Sequence, residues 1–335
     1  MKDKKYSTKA IVEASLISVL ISIIMIITGY LPIISFIGTL ILPVPVALLY
    51  IRYNTKVTII AIFLSIIITS LVYNPVLAIY AAITCSIVGI VLGYCVKKDK
   101  KSFTTIVLIG MGCAISNILS IAYSMLFIEK VSFINFLSQK LEFMKLTMNS
   151  SLNELKMLYS EQGITAKQLK LLNENYDVIK KLDVSLVLVL IPAAIFIYAF
   201  ISAYLNCIVS RAILARLNYN MQEVLPFSRV YVSNIVGAVL IGTVSIGIIL
   251  NSKNITGGEY LQNSSQILTQ FVFILNGLAA TTYFLRVKRH SSKLVVILIL
   301  VISSLSPLSN IYFSIGLMEM AFDFRKLDPY RFKRK

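Results

Sequence analysis

Charge and histidine are scarce in this chain. Only 14% of its 335 residues are charged, against about 25% in a soluble domain. The single histidine, His290, argues against His-based metal sites and catalytic dyads. The four cysteines (Cys85, Cys95, Cys113 and Cys207) lie inside apolar runs with no C-x-x-C spacing. They read as small buried hydrophobes and not as redox or metal ligands. No Walker A loop, G-x-G-x-x-G or G-x-S-x-G is present, and no pair of acids sits at catalytic spacing. The expectation is therefore a chain that is not an enzyme and holds no cofactor or metal. Any ATP-driven step would need a separate ATPase subunit. The apolar stretch from Ala10 to Tyr30 is longer than a signal-peptide core and has no A-x-A-like exit, so it reads as a first membrane span.

Apolar residues make up 57% of the chain, and the mean hydropathy is +0.83. Several apolar runs reach the ~20 residues that cross a hydrocarbon core of about 30 Å. They are solidly apolar and lack the alternation of a membrane β-strand. The fold class implied is all-α, a polytopic membrane helix bundle of 8–10 segments. Spans are expected at 10–30, 36–51, 57–73, 75–96, 103–128, 184–208, 230–250 and 264–285, with a last apolar region over 294–322. Three parts follow: membrane helices over 1–128, a polar helical insertion over 129–183, and membrane helices with a basic tail over 184–335.

The formal charge of +17 comes from 32 Lys and Arg against 15 Asp and Glu. On a membrane protein this is a topology signal, because Lys and Arg collect on the cytoplasmic side. Nucleic acid is not implied. With the N-terminus inside and a single last crossing, the basic residues divide 17 inside and 15 outside. With the last region folded as a hairpin, they divide 23 and 9. The hairpin is favoured by charge and places both termini in the cytoplasm of a cell-membrane protein. Its arms around Ser306-Pro307 and Asn310 are only about 18–21 Å long at 1.5 Å per residue, which is short for full crossings.

The insertion reads as extracytoplasmic amphipathic helices outside the membrane. Ser151-x-x-Glu154 and Thr165-x-x-Gln168 are capping-box patterns separated by Gly163. Apolar stripes follow Leu137, Leu141, Met144 and Met148, and again Leu169, Leu172, Tyr176 and Ile179.

Ionisable groups inside spans are costly and mark candidate functional positions. Glu13 and Glu319 are the two here. The plainer reading pairs Glu13 with Lys9. It makes Glu319, Asp323, Arg325 and Lys326 an interfacial ionic cluster where the last helix meets water. Asn117, Asn206 and Asn276 are amides able to bond between helices or to a ligand. Ala10-x-x-x-Ala14 puts two small side chains on one helix face, a spacing that admits close approach of another helix.

The stretches IPAAIFIYAFISAYLNCIVSRAILARLNY (191–219), GLMEMAFDFRKL (316–327), KAIVEASLISVLISIIM, LPVPVALLYIRYNTK and GITAKQLKLL resemble the YybS-like bacterial membrane proteins, the DUF2232 group. That group is in turn distantly similar to the substrate-binding S components of energy-coupling-factor transporters. The resemblance implies a subunit that takes up a small, vitamin-like hydrophilic molecule with a separate coupling subunit and ATPases. It also implies docking through Ala10 and Ala14. S components are much shorter, and none of their ligand contacts transfers to this chain. The alternative is a membrane scaffold or signalling partner that transports nothing.

Overall fold

A computed structural model describes residues 8–162, 180–304 and 309–328. Helices dominate throughout: α1 Thr8–Tyr30, α2 Pro32–Ile41, α3 Pro43–Arg52, α4 Thr55–Val72, α5 Pro75–Lys97, α6 Ser102–Tyr123, α7 Phe133–Gln162, α8 Val184–Arg216, α9 Asn234–Ser252, α10 Gly258–Tyr283, α11 Lys293–Ser304 and α12 Ser309–Phe322. Eight stretches are long and apolar enough to cross a membrane, from Ala10–Tyr30 to Gly258–Lys288. They correspond to the eight spans expected from hydropathy. One of them, Ser35–Arg52, is built from α2 and α3. The break falls where Pro43 follows Leu42, since proline cannot donate to the preceding turn. α8 runs on to Arg216, past the expected end at 208.

Start signals are visible at several helices. The Asn54 and Asn74 side chains accept from the backbone N–H of Val57 and Val76, and Pro75 opens α5. The Asp183 carboxylate accepts from the Val184 N–H at 2.7 Å and the Ser185 hydroxyl at 2.9 Å. These bonds hold its carboxyl below the usual range.

Two apolar cores organise the bundle. The first gathers Ile17, Ile21 and Met25 of α1, Leu42 between α2 and α3, Val46 and Leu49 of α3, Ala61 and Ile62 of α4, and Ala82 and Cys85 of α5. The second joins Ala47, Val88, Leu92, Ile109 and Cys113 to Ala199, Ala203 and Cys207 of α8. The first five spans and α8 therefore share one interior. α8 also packs on α10, which carries α9 and α12 on its other flanks. Leu16, Ile60, Phe63, Leu71, Ile235 and Leu294 are well exposed. Apolar side chains around the outside are expected where the solvent is lipid.

The last region is a hairpin, as charge suggested. Phe273 of α10 meets Phe313 of α12 edge to face at 5.7 Å, and Gly277 lies against Gly316. Residue numbers rise together, so α12 runs parallel to α10 and ends on the side where α10 ends. α11 must return the chain, and the hydroxyls of Ser303 and Tyr312 bond across the two arms.

The insertion differs from expectation. Phe133–Gln162 is a single helix passing straight through Ser151 and Glu154. A capping box needs a non-helical first residue, and here the apolar stripe outweighs it. Leu141 and Leu152 on that stripe are buried. The Thr165–Gln168 box and the stripe from Leu169 to Ile179 lie outside the described residues.

Candidate functional site

One end of the bundle is knit by basic and aromatic residues. Glu13 of α1 binds the Arg52 guanidinium and accepts from the Tyr53 hydroxyl. Arg52 Nε donates to the Tyr219 hydroxyl beyond α8 at 2.8 Å. Lys97 donates to the carbonyls of Tyr50 and Tyr53 at 3.2 and 2.8 Å. Glu13 thus has partners on α3, where sequence reasoning looked to Lys9, whose side chain is not among those described. α3 delivers the Arg52 guanidinium to the level of Glu13, so this ion pair joins two helices.

At the same end lies a buried ionic cluster. Glu319 and Arg325 are 3% and 5% exposed. Arg325 Nε donates to Glu319 Oε1 at 2.7 Å. Its two terminal nitrogens donate to the carbonyls of Ser228 and Val230 at 3.0 and 2.9 Å and to Asn276 Oδ1 at 2.9 Å. Asn276 completes the set by donating to the Gly316 carbonyl at 2.8 Å. This corrects the interfacial reading of Glu319: the pair is inside the protein, because the chain turns back after α12 and folds Arg325 over it. Asp323 has φ of 47° and accepts from the backbone N–H of Leu327 and Asp328 at 2.9 and 3.1 Å, so it makes that turn. Glu319 Oε2 has no hydrogen-bond partner among the described residues. It borders a cavity of about 10 Å³ with Tyr231 and Val232, room for about one water. Every donor of Arg325 that is used serves structure, so the cluster reads as a clasp.

The other polar feature lies toward the opposite end of α10. A groove of about 410 Å³ runs between α9, α10 and α12, lined by Gln262, Gln266, Thr269, Gln270, Val244, Ile248 and Phe313. The glutamines recur at every fourth residue and so share one helix face. Gln262 is held by Asn251, whose Nδ2 donates to its Oε1 at 2.8 Å. Gln266 and Gln270 are exposed into the open space. Thr269 is buried, and its hydroxyl has no partner among the described residues. Thr269 lies 11 residues into α10, about 16 Å along the axis. That hydroxyl is closed off from the groove, but two open amides on this face are costly against lipid. Water or a polar molecule in the groove removes the cost.

The remaining candidates are placed as follows. Asn206 is buried and donates to the Ser202 carbonyl of its own helix at 2.9 Å, so it is not seen to glue two helices. Asn117 is half-buried on α6. Ala10 is 6% exposed, and Ala14 packs against the first core. They begin a ladder of small residues continued by Ser18 and Ser22, both buried. The Ser22 hydroxyl bonds the Ser65 carbonyl of α4 at 3.1 Å. All four cysteines are free and buried. Among the described residues no cluster of His, Cys, Asp or Glu has the arrangement of a metal site. Sequence reasoning picked out Asn276 and Glu319 but passed over the three glutamines, although their spacing is legible.

A family model described as a predicted membrane protein, DUF2232, matches residues 19–320. No curated protein matches the chain. No solved structure matches it.

Proposed function

Because this chain belongs to the DUF2232 family of predicted membrane proteins, whose description is a location and not a reaction, we propose that it is the substrate-binding membrane subunit of a small-molecule transporter. The observation that carries this is the amide-lined groove between α9, α10 and α12. A binding site of 300–1,000 Å³ with a few convergent polar groups on apolar walls is the usual form of a small-molecule site. The groove's lining begins at Gln262, near the start of α10 and so toward the end opposite Arg52, Lys97 and Arg325. With the basic end in the cytoplasm of a cell-membrane protein, the molecule arrives from outside. Both described ends of the chain then face the cytoplasm, where a coupling subunit and its ATPases would act. The resemblance to S components supports this division of labour. The inward packing of Ala10 and Ala14 supports a role within the bundle, so docking falls to another face.

The test is affinity purification from the native host in mild detergent, with mass spectrometry of proteins and small molecules. Recovery of an ATPase module together with a retained metabolite is the expected result. Recovery of cell-envelope or signalling proteins, with neither ATPase nor metabolite, would favour the scaffold reading. That second reading has its own support: Phe143 and Leu146 of α7 are 69% and 60% exposed, outside the eight span-like stretches.

A further inference from the structure

The groove also limits what can fill it. No Asp, Glu, Lys, Arg or His is among its lining residues. The buried ionic pair at the other end of α10, Glu319 with Arg325, is already matched and offers no counter-charge to the groove. A charged ligand moved from water into such a place would lose hydration without a counter-charge, which costs far more than one hydrogen bond returns. A carboxamide offers two donors and an acceptor. Gln266 and Gln270 therefore suit a molecule with donors and acceptors of its own. The apolar part of the wall is distinctive too. Phe313 is fixed edge to face against Phe273 at 5.7 Å, and Val244 and Ile248 line the groove with it. A rigid ring beside branched aliphatics matches a flat apolar face.

Building on the reading above that this chain binds a small molecule, we infer that the groove takes an uncharged molecule carrying a hydrogen-bonding edge and a flat ring. The edge lies on Gln266 and Gln270, and the ring lies on Phe313. A carboxamide or lactam on a heteroaromatic ring has this chemistry. An ionised carboxylate or a quaternary ammonium does not.

The experiment uses three probes of one shape and different charge: nicotinamide, nicotinate and 1-methylnicotinamide. A neutral nucleoside, uridine, is the fourth. Each is added to the purified full chain in lipid nanodiscs, and unfolding is followed with a thiol-reactive dye that reports the four buried cysteines. A ligand that binds only the folded state raises the midpoint in proportion to the logarithm of its concentration over Kd. The neutral probes are expected to raise it and the charged ones to leave it unchanged. Gln270→Leu should weaken neutral binding at least tenfold. Thr269→Val should leave neutral binding unchanged and the unliganded midpoint unchanged or higher, because it removes an unpartnered buried hydroxyl that is closed off from the groove.

Equal or tighter binding of nicotinate or 1-methylnicotinamide, lost in Gln270→Leu, would overturn the ligand class and leave the binding-subunit reading standing. No shift with either neutral probe would overturn the class also, and the metabolite recovered by purification would then decide the broader reading on its own. A phospholipid retained by the chain and lost in Gln270→Leu would overturn the inference by showing a lipid in the groove.

Discussion

Arg325 does the most at the scale of single residues. It joins Glu319, Asn276 and two loop carbonyls from a position where it is 5% exposed. Removing one partner of a buried ion pair strands the other charge, at a cost of about 3–5 kcal/mol. Arg325→Met is therefore expected to lower the unfolding midpoint sharply. Adding Glu319→Gln should restore much of the loss, because no buried charge is left alone. A double variant as unstable as the single one would show that the bonds to Ser228, Val230 and Asn276 matter more than the ion pair. Thermal unfolding in nanodiscs reads all three proteins. Glu13 follows the same logic more weakly, since its partner Arg52 remains exposed.

Among the elements, the approach of α12 to α10 depends on glycine. A methyl group on Gly277 would meet the Tyr312 carbonyl, and one on Gly316 the Phe273 carbonyl. Both obstacles are backbone, so relief requires the helices to part. Small residues at such crossings let dispersion contacts form along both backbones where no hydrophobic drive exists between helices in lipid. Gly237 faces the Met320 side chain, which can turn aside, and Gly242 has nothing within 4 Å. An ordered series follows. Gly316→Ala should cost about 1–3 kcal/mol, the usual penalty of overpacking. Gly237→Ala should cost less, and Gly242→Ala should be neutral or slightly stabilising through helix propensity. Equal losses at Gly316 and Gly242 would refute the close crossing. The α1 ladder is the looser counterpart, with Ala and Ser in place of Gly and a hydroxyl bridge from Ser22 to Ser65.

For the whole molecule the decisive feature is the hairpin. α11 has 12 residues and α12 has 14, about 18 and 21 Å at 1.5 Å per residue. Neither matches a hydrocarbon core of about 30 Å. The pair enters and returns on the side where α10 ends, bringing Arg325 to the loop at Ser228–Val230. On a background with the four cysteines replaced, Arg289→Cys and Lys326→Cys should label with a membrane-impermeant thiol reagent from the same side. Lys253→Cys should label only from the other. Opposite labelling of Arg289→Cys and Lys326→Cys would mean a full last crossing and would undo the hairpin.

Length and apolar run determined the eight spans from the sequence alone, since a helix must satisfy its own backbone bonds and cover about 30 Å of hydrocarbon. The balance of Lys and Arg also favoured the hairpin before any packing was known. Family membership was legible in the same way, from stretches such as 191–219 and 316–327. Tertiary structure decided the partners. Glu13 found Arg52 on α3, Glu319 moved from interface to interior, and the Ser151–Glu154 box was overrun by one continuous helix. The groove became visible only when α9 and α12 were set against the glutamine face of α10. Sequence periodicity reports which way a side chain points on its own helix. What waits on that side depends on which helices pack there, and glycines such as Gly277 and Gly316 settle that only as a pair.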